Sequence, residues 1–384
     1  MAKYKLGDIC EIVSGSTPKT SIEEYWDGDI KWITPAEIND DTYIVTDSVR
    51  KITDLGAKKT GLSPFPEGTV ILSSRAPIGK VAIAGCAMCC NQGFKNLICS
   101  EKILNKYLYW FLKGNTSFLN SLGRGATFKE ISKSIVSQIE INVPDIEYQK
   151  EAADILEKVS EVIYLRKQEL TALDNLINAR FVEMFGDPVK NPKGWEVVTI
   201  GDIVTEVRYG TSKPAVEGGK YPYLRMNNLT ADGHLDLNDL KYIDIPDDEI
   251  EKCVVRKGDV LFNRTNSIEL VGKTVVFDLQ EDMIIAGYII RVRLNKRLLP
   301  EILSQYMNLE ALKDILRSMA KGAVNQANIN AQELQSIKVY IPDMELQKQF
   351  IEMKNQVDKS KVAVQKALDE TQMLFDSLMQ EYFG

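Results

Sequence analysis

The chain has 384 residues and a formal net charge of −7, with 44% hydrophobic and 26% charged residues. This length suits two or three globular domains, and this composition argues against a disordered or fibrous protein. No apolar run approaches the roughly 20 residues that a transmembrane helix needs, and Met1–Lys5 lacks the hydrophobic stretch of a signal peptide. We therefore expect a cytoplasmic protein that has no membrane segment.

The sequence contains an internal repeat with an offset of 198 positions. Ile139–Asp145 reads IEINVPD and Ile337–Asp343 reads IKVYIPD, and the same offset brings Glu147–Lys150 onto Glu345–Lys348. A repeat that spans half the chain predicts a duplicated domain pair, whereas solenoids have much shorter periods.

Each copy begins with short β-type runs that are broken by Gly, Pro and Asn. The predicted strands are Gly28–Thr34, Gly68–Ser73 and Lys80–Ala84 in the first copy, and Gly258–Phe262 and Lys273–Phe277 in the second. A helix is then predicted over Leu104–Leu122 and over Pro300–Met319, each stopped by a glycine. Each copy therefore has the pattern of an α+β domain.

Both copies end in a strand, a proline and a long helix. Asp145 and Asp343 stand at the N-cap positions of these helices. Apolar residues at 3-4 spacing predict a coiled-coil seam, and its members are Leu156, Val159, Ile163, Leu170, Leu173, Ile177, Val357, Val364, Leu368, Phe375 and Leu378. The helices could pack on their own domains, but the seams favour antiparallel pairing with each other. Some 36 residues would make a rod of about 54 Å.

The negative charge is confined to these two helical segments. Residues 139–186 carry ten acidic and five basic side chains, and residues 337–384 carry eight and six. The other 288 residues hold 36 of each sign. They can therefore carry local basic faces, on which phosphate binding depends.

The sequence lacks the motifs of nucleic-acid enzymes. Val271–Thr274 resembles the end of a phosphate-binding loop, but Ser267 stands where that loop requires glycine. Asn191–Gly194 does not supply the Asn/Asp-Pro-Pro-aromatic tetrad of an adenine methyltransferase. His234 is the only histidine, which argues against histidine-based catalysis. We therefore expect a non-catalytic chain.

The six cysteines leave two interpretations open. Cys86 and Cys89 have the C-x-x-C spacing of zinc or redox sites. A second ligand pair is missing, and the second copy has no cysteine around Met283–Gly287. Free thiols in a reducing compartment are therefore favoured, and we expect no metal site.

Polar loop residues suited to base recognition recur in both copies. Arginine fits guanine bidentately, and Asn or Gln fits adenine. Such loops are usually ordinary turns, but their recurrence at matching places, including Arg75 before Gly79-Lys80 and Arg264 before Gly272-Lys273, favours DNA contact. The candidates are Ser14, Thr17, Arg75, Lys80, Asn91, Gln92, Arg124, Thr127, Arg208, Thr211, Arg225, Asn227, Arg264, Asn266, Lys273, Asn325 and Gln326.

Several motifs together resemble the DNA-specificity subunit of type I restriction–modification systems. They are SGSTPK at Ser14–Lys19, WDGDIKWITP at Trp26–Pro35, NQGF at Asn91–Phe94, FGDP at Phe185–Pro188 and NPKGW at Asn191–Trp195. The resemblance covers the whole chain and its two-copy layout. It is weaker in the second copy, where Ala286-Gly287-Tyr288 replaces Gln92-Gly93-Phe94.

This resemblance implies an α+β fold with a pseudo-twofold internal repeat. Two target-recognition domains, residues 1–144 and 187–342, would each read one half of a bipartite double-stranded DNA target. Two antiparallel spacer helices, residues 145–186 and 343–384, would set the gap and dock two methyltransferase subunits. A restriction and motor subunit can join such a complex. The partners would use S-adenosylmethionine to methylate an adenine flipped from each half-site, and this chain would bind no cofactor itself.

Two rival functions follow from the same sequence. A coiled-coil interaction scaffold without DNA readout would explain the helices and the repeat, but not the recurring loop residues. A self-sufficient methyltransferase would need motifs that the sequence lacks.

Overall fold

The computed structural model describes residues 2–75, 77–125, 129–322 and 326–384. The chain forms two compact units. Unit 1 comprises Met1–Gln168 and Gln365–Gly384, and unit 2 comprises Glu169–Val364. Each unit thus includes its own part of both long helices. The division expected from the sequence instead treats the two helices, residues 145–186 and 343–384, as segments separate from the two domains. None of the helices in the described ranges has the length and apolar character to cross a membrane.

Unit 1 contains ten strands and five short α-helices among its described residues. The strands are β1 (Ala2–Lys5), β2 (Cys10–Ser14), β3 (Trp26–Ile33), β4 (Ile44–Val45), β5 (Arg50–Ile52), β6 (Val70–Ser74), β7 (Ile78–Ala84), β8 (Cys89–Cys90), β9 (Lys95–Cys99) and β10 (Glu140–Val143). The helices are α1 (Leu6–Ile9), α2 (Asp54–Thr60), α3 (Asn105–Gly114), α4 (Thr116–Ser121) and α5 (Lys133–Ser137), and the long helix α6 (Ile146–Phe185) follows them.

Unit 2 has a closely similar order of elements. Its strands are β11 (Glu196–Thr199), β12 (Val204–Tyr209), β13 (Tyr221–Leu224), β14 (Lys241–Ile243), β15 (Val254–Val255), β16 (Val260–Asn263), β17 (Thr265–Asn266), β18 (Thr274–Val276), β19 (Met283–Ile285), β20 (Ile289–Leu294), β21 (Ala327–Asn328) and β22 (Lys338–Ile341). Its helices are α7 (Ile200–Ile203), α8 (Asp247–Cys253), α9 (Pro300–Asn308), α10 (Glu310–Met319), α11 (Ala331–Ser336) and the long α12 (Met344–Phe383).

The main sheets of the two units share one strand order. In unit 1 the order is β2-β9-β6-β7-β4, and in unit 2 it is β12-β20-β16-β18. A second sheet has the order β5-β3-β8 in unit 1 and β14-β13-β19-β15 in unit 2. Each second sheet contains one parallel pair, β3–β8 in unit 1 and β13–β19 in unit 2. Both units are therefore mixed α+β bodies with corresponding sheets.

Burial follows the position of each strand. Every residue of the central strand β6 is buried, as its apolar run predicts. Strand β10 alternates between exposed and buried residues, and it pairs antiparallel with β1 from Ala2↔Val143 to Lys5↔Glu140. Strands β11 and β22 pair in the same way. The first and last strands of each repeat thus lie together, immediately before the long helix.

The prediction of a single helix after the strands of each copy is wrong. Residues Leu104–Leu122 form α3 and α4, which are separated at Asn115, where the side-chain amide donates to the Phe111 carbonyl at 2.8 Å. Residues Pro300–Met319 form α9 and α10, which are separated at Leu309 in an extended conformation. A single non-helical residue between two helical segments hardly changes the spacing of apolar residues, so the sequence pattern does not reveal the break.

A buried glutamine fixes the first turn of each long helix. Gln149 donates to the carbonyls of Lys102 and Pro144 at 3.0 and 2.9 Å, and accepts from the Leu104 N–H at 2.9 Å. Gln347 makes the same three bonds in unit 2, to Arg297, Pro342 and Leu299. Both side chains are fully buried. The glutamine of the repeated Q-K pair thus ties the long helix to the segment that precedes α3 or α9.

The residues of the predicted seam are buried or half-buried. Leu156, Ile163, Ile177, Val357 and Leu368 are buried, and the other six predicted residues are half-buried. In unit 2, Phe181 and Phe185 of α6 pack on Phe350 of α12 at centroid distances of 5.2 and 5.5 Å.

The two long helices run antiparallel within unit 2. Phe350 of α12 contacts Phe181 and Phe185 of α6, whereas Lys361, later in α12, pairs with Asp174, which is earlier in α6. The two helices therefore run in opposite directions. In unit 1 the start of α6 meets the end of α12, where Tyr148 and Tyr382 lie 5.9 Å apart.

We predict that Gln149→Ala lowers the free energy of unfolding by about 2–4 kcal/mol, because it leaves three buried backbone groups without partners. Gln347→Ala should have a similar effect, since its three bonds are equivalent. Chemical denaturation measures both. Lys150→Ala is the matched control, because Lys150 is exposed on the next position of the same helix. Equal unfolding midpoints for the Gln149 and Lys150 variants would contradict the anchoring role.

Candidate nucleic-acid interface

The glycine-containing loop after β2 is held against the end of β8. A side chain at Gly15 would collide with the carbonyl oxygens of Cys90 and Asn91, so only glycine fits this close approach. The Ser16 N–H donates to the Cys90 carbonyl at 3.0 Å, and the Thr17 hydroxyl donates to the Gln92 side chain. Two of the predicted loops thus meet in unit 1.

Unit 2 repeats this arrangement after β12. A side chain at Gly210 would collide with the carbonyl oxygens of Ile285 and Ala286. The Thr211 N–H donates to the Ile285 carbonyl at 2.9 Å, and the Gly287 N–H donates to the Thr211 carbonyl at 2.8 Å. Thr211 therefore has the place that Ser16 has in unit 1.

Backbone hydrogen bonds bring the loop after β6 to the same surface. The Ser74 N–H donates to the Gly93 carbonyl at 2.7 Å, and the Ser74 carbonyl accepts from the Ile131 N–H at 3.0 Å. In unit 2 the Arg264 N–H donates to the Tyr288 carbonyl, and the Arg264 carbonyl accepts from the Ile329 N–H, both at 2.9 Å. In each unit, therefore, the segments that follow β2 or β12, β6 or β16, and β8 or β19 are neighbours.

These bonds correct the residue matching made from the sequence. Arg264 matches Ser74 and not Arg75, because both have the same two backbone partners. Likewise Gly93 matches Tyr288, so Gln92-Gly93-Phe94 corresponds to residues 287–289 and not 286–288. A shift of one residue along an extended chain reverses the side on which a side chain lies. The loop before Lys273 is longer than the loop before Lys80, as predicted.

A short hairpin presents a cation in each unit. Arg124 exchanges two backbone hydrogen bonds with Glu130, both at 3.0 Å, and Lys321 exchanges two with Asn328, at 3.0 and 2.9 Å. Arg124 and Lys321 are both exposed. The Glu130 carboxylate lies 4.0 Å from the Arg75 guanidinium and 3.2 Å from the Lys95 ammonium. The candidates Thr127 and Asn325 lie outside the described residues.

Lys80 and Lys273 have a structural role that the sequence does not reveal. The Lys80 ammonium donates to the Pro35 carbonyl at 2.9 Å, and the Lys273 ammonium donates to the Met226 carbonyl at 2.9 Å. Lys273 is buried, and this burial lowers the pKa of its ammonium group. Both lysines hold the turn that follows β3 or β13, so the expected phosphate contact is not supported for Lys273.

The arginines of unit 2 differ in their surroundings. The Arg264 guanidinium lies over the Tyr209 ring at 5.0 Å and donates to the Gly287 carbonyl at 3.4 Å. Arg208 is paired with Glu206 at 3.1 Å, and Arg225 is paired with Asp239 at 2.7 Å. A phosphate that binds Arg208 or Arg225 would therefore compete with a carboxylate.

The remaining candidates divide into turn-forming and exposed residues. The Asn91 side chain accepts from the Gly93 N–H at 2.8 Å, and the Asn266 side chain bonds to Asn263 at 2.9 Å, so both shape their own loops. Besides the exposed arginines Arg124 and Arg208, four candidates are exposed, and these are Ser14, Gln92, Asn227 and Gln326.

Sequence reasoning missed the aromatic residues that support the first loop. The indole N–H of Trp32 donates to the Ser16 carbonyl at 3.0 Å, and that of Trp26 donates to the Lys19 carbonyl at 3.3 Å. The Arg50 guanidinium lies 3.5 Å above the Trp26 ring. In unit 2, Tyr223 replaces Trp32, and its hydroxyl donates to the Thr211 and Lys213 carbonyls. The signal was the paired tryptophans of the WDGDIKWITP motif.

The described residues contain no group of three or more His, Cys, Asp or Glu side chains placed to hold a metal ion. All six cysteines are free thiols. Cys86 bonds to the Thr46 carbonyl at 3.3 Å, whereas Cys89 is buried, with its thiol pKa raised by that burial to about 11.

Comparison with known proteins gives one consistent result. The family model of the type I restriction modification DNA specificity domain matches residues 1–175 and 192–371. The specificity subunit of the type I restriction enzyme MjaIX from Methanocaldococcus jannaschii is 37% identical over 247 residues, which are 59% of this chain and 57% of that subunit. The EcoKI specificity subunit from Escherichia coli is 25% identical over 345 residues, 83% of this chain and 74% of that subunit.

Solved structures share the fold. A chain from a structure concerned with complex assembly and conformational transition of the type I restriction–modification system has a TM-score of 0.61 at 20% identity, covering 100% of this chain and 97% of that one. The crystal structure of the S subunit from M. genitalium has a TM-score of 0.56 at 15% identity, with coverages of 100% and 96%.

The resemblance predicted from the motifs is thus confirmed. Specificity subunits are the non-catalytic components of these systems, and catalysis lies in other subunits. The chain belongs to the DNA-specificity subunits of type I restriction–modification systems.

Proposed function

We propose that this chain recognises a bipartite double-stranded DNA target, with one unit reading each half-site. The observation that carries the proposal is the equivalent set of loops in the two units. The same backbone hydrogen bonds join these loops in both, at Ser74 and at Arg264 for example, while their side chains differ. One scaffold with two sets of side chains suits two different half-sites.

The loop side chains have the chemistry of base and phosphate recognition. Arg75, Arg124, Arg264 and Lys321 are cations on these loops, and Gln92 is an exposed amide beside them. Arginine and glutamine pair bidentately with guanine and adenine, while any cation can bind a phosphate. The hydrogen bonds between the loops hold these groups in place before DNA arrives, which lowers the entropy cost of binding.

We further propose that the long helices act as spacers and dock two methyltransferase subunits. Both helices carry exposed apolar side chains, including Val162 and Leu165 on α6 and Val362 and Met373 on α12. Such exposed apolar positions favour contact with another protein. The length of the helices would set the gap between the half-sites, and the repeat predicts an approximate twofold arrangement.

The chemistry would lie in the partners. The methyltransferase subunits would supply S-adenosylmethionine and methylate an adenine flipped from each half-site, and a restriction and motor subunit can join. Since the β-rich parts of the chain are electrically neutral overall, the partners would also supply much of the positive charge that neutralises DNA phosphates.

We expect the complex with methyltransferase subunits to prefer one split sequence over random DNA. Its affinity should fall steeply as salt rises, because cations on the protein displace counterions from DNA. A fluorescence anisotropy titration at several salt concentrations measures both properties. Equal affinity for all sequences would instead support the interaction scaffold without DNA readout.

We predict that Arg124→Ala weakens recognition of the unit 1 half-site only, and that Lys321→Ala weakens recognition of the unit 2 half-site only. A lost base contact should cost about 1–3 kcal/mol and relax one position, whereas a lost phosphate contact should weaken all sequences and lower the salt slope by about one. Competition binding with half-site variants distinguishes these results. Lys3→Ala is the control, since Lys3 is exposed on β1 and paired with Glu140. An effect of either hairpin variant on both half-sites would contradict the division.

Exchange of residues 1–143 for the corresponding part of another specificity subunit should change one half of the target and leave the other half and the gap unaltered. Methylation mapping of a host genome that carries the chimaera reads out the full target. A change in both half-sites would show that the units do not read DNA independently.

A further inference from the structure

Unit 1 contains a cleft of about 920 Å³, lined by loop 40–43, by α3 and by the unit 1 parts of α6 and α12. We call it the unit 1 cleft. Aromatic rings form much of its lining: Tyr43 lies 4.8 Å from Tyr109 and 5.9 Å from Trp110, and Trp110 lies 5.7 Å from Phe375. None of these residues belongs to the loops proposed to read DNA.

Two polar groups in this lining, the Tyr43 hydroxyl and the Trp110 indole N–H, have no hydrogen-bond partner among the described residues. Trp110 is only 3% exposed, and its indole N–H makes no hydrogen bond with the described residues. A buried donor without an acceptor is costly, and nearly all such groups in folded proteins are satisfied. A carbonyl oxygen brought by a ligand would satisfy it.

The rim of the unit 1 cleft is acidic. Its charged residues are Asp40, Asp41, Glu157, Glu161 and Asp376, against Lys113 and Lys167, and Glu157 is paired with Lys106 at 2.6 Å. The Lys113 ammonium already donates to the Asp40 carbonyl at 2.6 Å, and burial lowers its pKa. An excess of carboxylates above aromatic rings suits a cationic side chain, through charge attraction and cation–π contact.

At the equivalent place in unit 2, a lysine of the chain itself lies between two aspartates. There the Lys361 ammonium of α12 lies 2.5 Å from the Asp174 carboxylate and 3.3 Å from the Asp232 carboxylate. Nearby, Lys354 and His234 approach Asp358 at 2.6 and 3.8 Å.

The repeat shows which residue of unit 1 takes the place of this lysine. An offset of 198 matches Lys361 with Ile163, and Asp174 with Gln372. The turns at Pro35–Glu37 and Met226–Asn228 correspond to each other. Asp41 and Asp232 stand at the same distance after these turns, so they match. Ile163, Gln372 and Asp41 all line the unit 1 cleft. Unit 1 thus keeps the aspartate but replaces the lysine with an uncharged residue.

We propose that the unit 1 cleft receives a lysine or arginine side chain from a basic segment of a methyltransferase subunit, in the place that Lys361 occupies in unit 2. The cation lies against Asp41 and the aromatic rings, and a backbone carbonyl of the same segment accepts from Trp110. Only the identity of the partner rests on the proposed function. It follows that the two units dock their methyltransferase subunits unequally, since unit 2 fills its own site.

Charge reversal on the exposed rim tests whether a methyltransferase subunit binds at the unit 1 cleft. The combined variant Glu161→Lys and Asp376→Lys should weaken binding of the methyltransferase subunit to unit 1 by about tenfold or more, because two attractive contacts become repulsive. Native mass spectrometry of the full chain with the purified subunit should then show more of the complex with a single methyltransferase. Glu151→Lys is the control, being an exposed reversal on α6 outside the cleft. Equal binding by the combined and control variants would overturn the proposal.

Replacement of Ile163 tests whether the unit 1 cleft binds a cationic side chain. Ile163→Lys provides the missing cation from within the chain, so it should weaken methyltransferase binding as the rim reversal does. A tetralysine peptide serves as the probe: in the unaltered chain it should shift the indole N–H resonance of Trp110, assigned with Trp110→Phe, and in Ile163→Lys it should not. An unshifted Trp110 resonance, or an equal shift in both chains, would refute the site.

The unit 1 cleft and the DNA-reading loops can be tested separately. The DNA selectivity of the unaltered complex depends on the loops and not on the unit 1 cleft. Normal selectivity together with unchanged methyltransferase binding in the rim and Ile163→Lys variants refutes the cleft alone, whereas absent selectivity in the unaltered complex refutes the proposed function.

Discussion

In each unit the position of the long helix depends on one buried side-chain amide. Gln149 satisfies the Pro144 carbonyl just before the helix, and also the Lys102 carbonyl and the Leu104 N–H, which are distant in sequence. Gln347 makes the equivalent bonds in unit 2. A buried amide with all its partners in place is rigid and specific, because any other helix position would leave several polar groups unpaired. The paired first and last strands fix where each helix begins, and the glutamine fixes its direction.

The loops depend on a second constraint of the same kind. Gly15 and Gly210 approach the carbonyls at the ends of β8 and β19 so closely that no side chain fits. Lys80 and Lys273 use their ammonium groups to hold the neighbouring turn. Part of the positive charge counted in the sequence therefore serves the protein interior. The cations that remain exposed, such as Arg124 and Lys321, stand on hairpins of matching geometry.

Sequence patterns predicted the features that depend on local period. The seam from Leu156 to Leu378 follows from 3-4 spacing, and the cap at Asp145, which accepts from the Tyr148 N–H at 2.9 Å, follows from residue type. The motifs also identified the family. The matching of Arg75 with Arg264 failed because a one-residue shift in a loop leaves the motif intact and is visible only in backbone pairing. The burial of Lys273 and the unpaired indole of Trp110 depend on segments far away in the chain, and no local pattern encodes them.

The close contact at Gly15 and Gly210 has a consequence for how the target of such a protein can evolve. At each glycine the backbone lies so close to carbonyl oxygens that a side chain would collide with them. The backbone of the loop therefore has little freedom to move when a neighbouring residue changes. Under the proposed function, substitutions at the exposed positions beside it alter the chemical groups offered to DNA without altering where they are offered. A new specificity can then arise by one or a few side-chain changes, while the path of the loop is inherited unchanged.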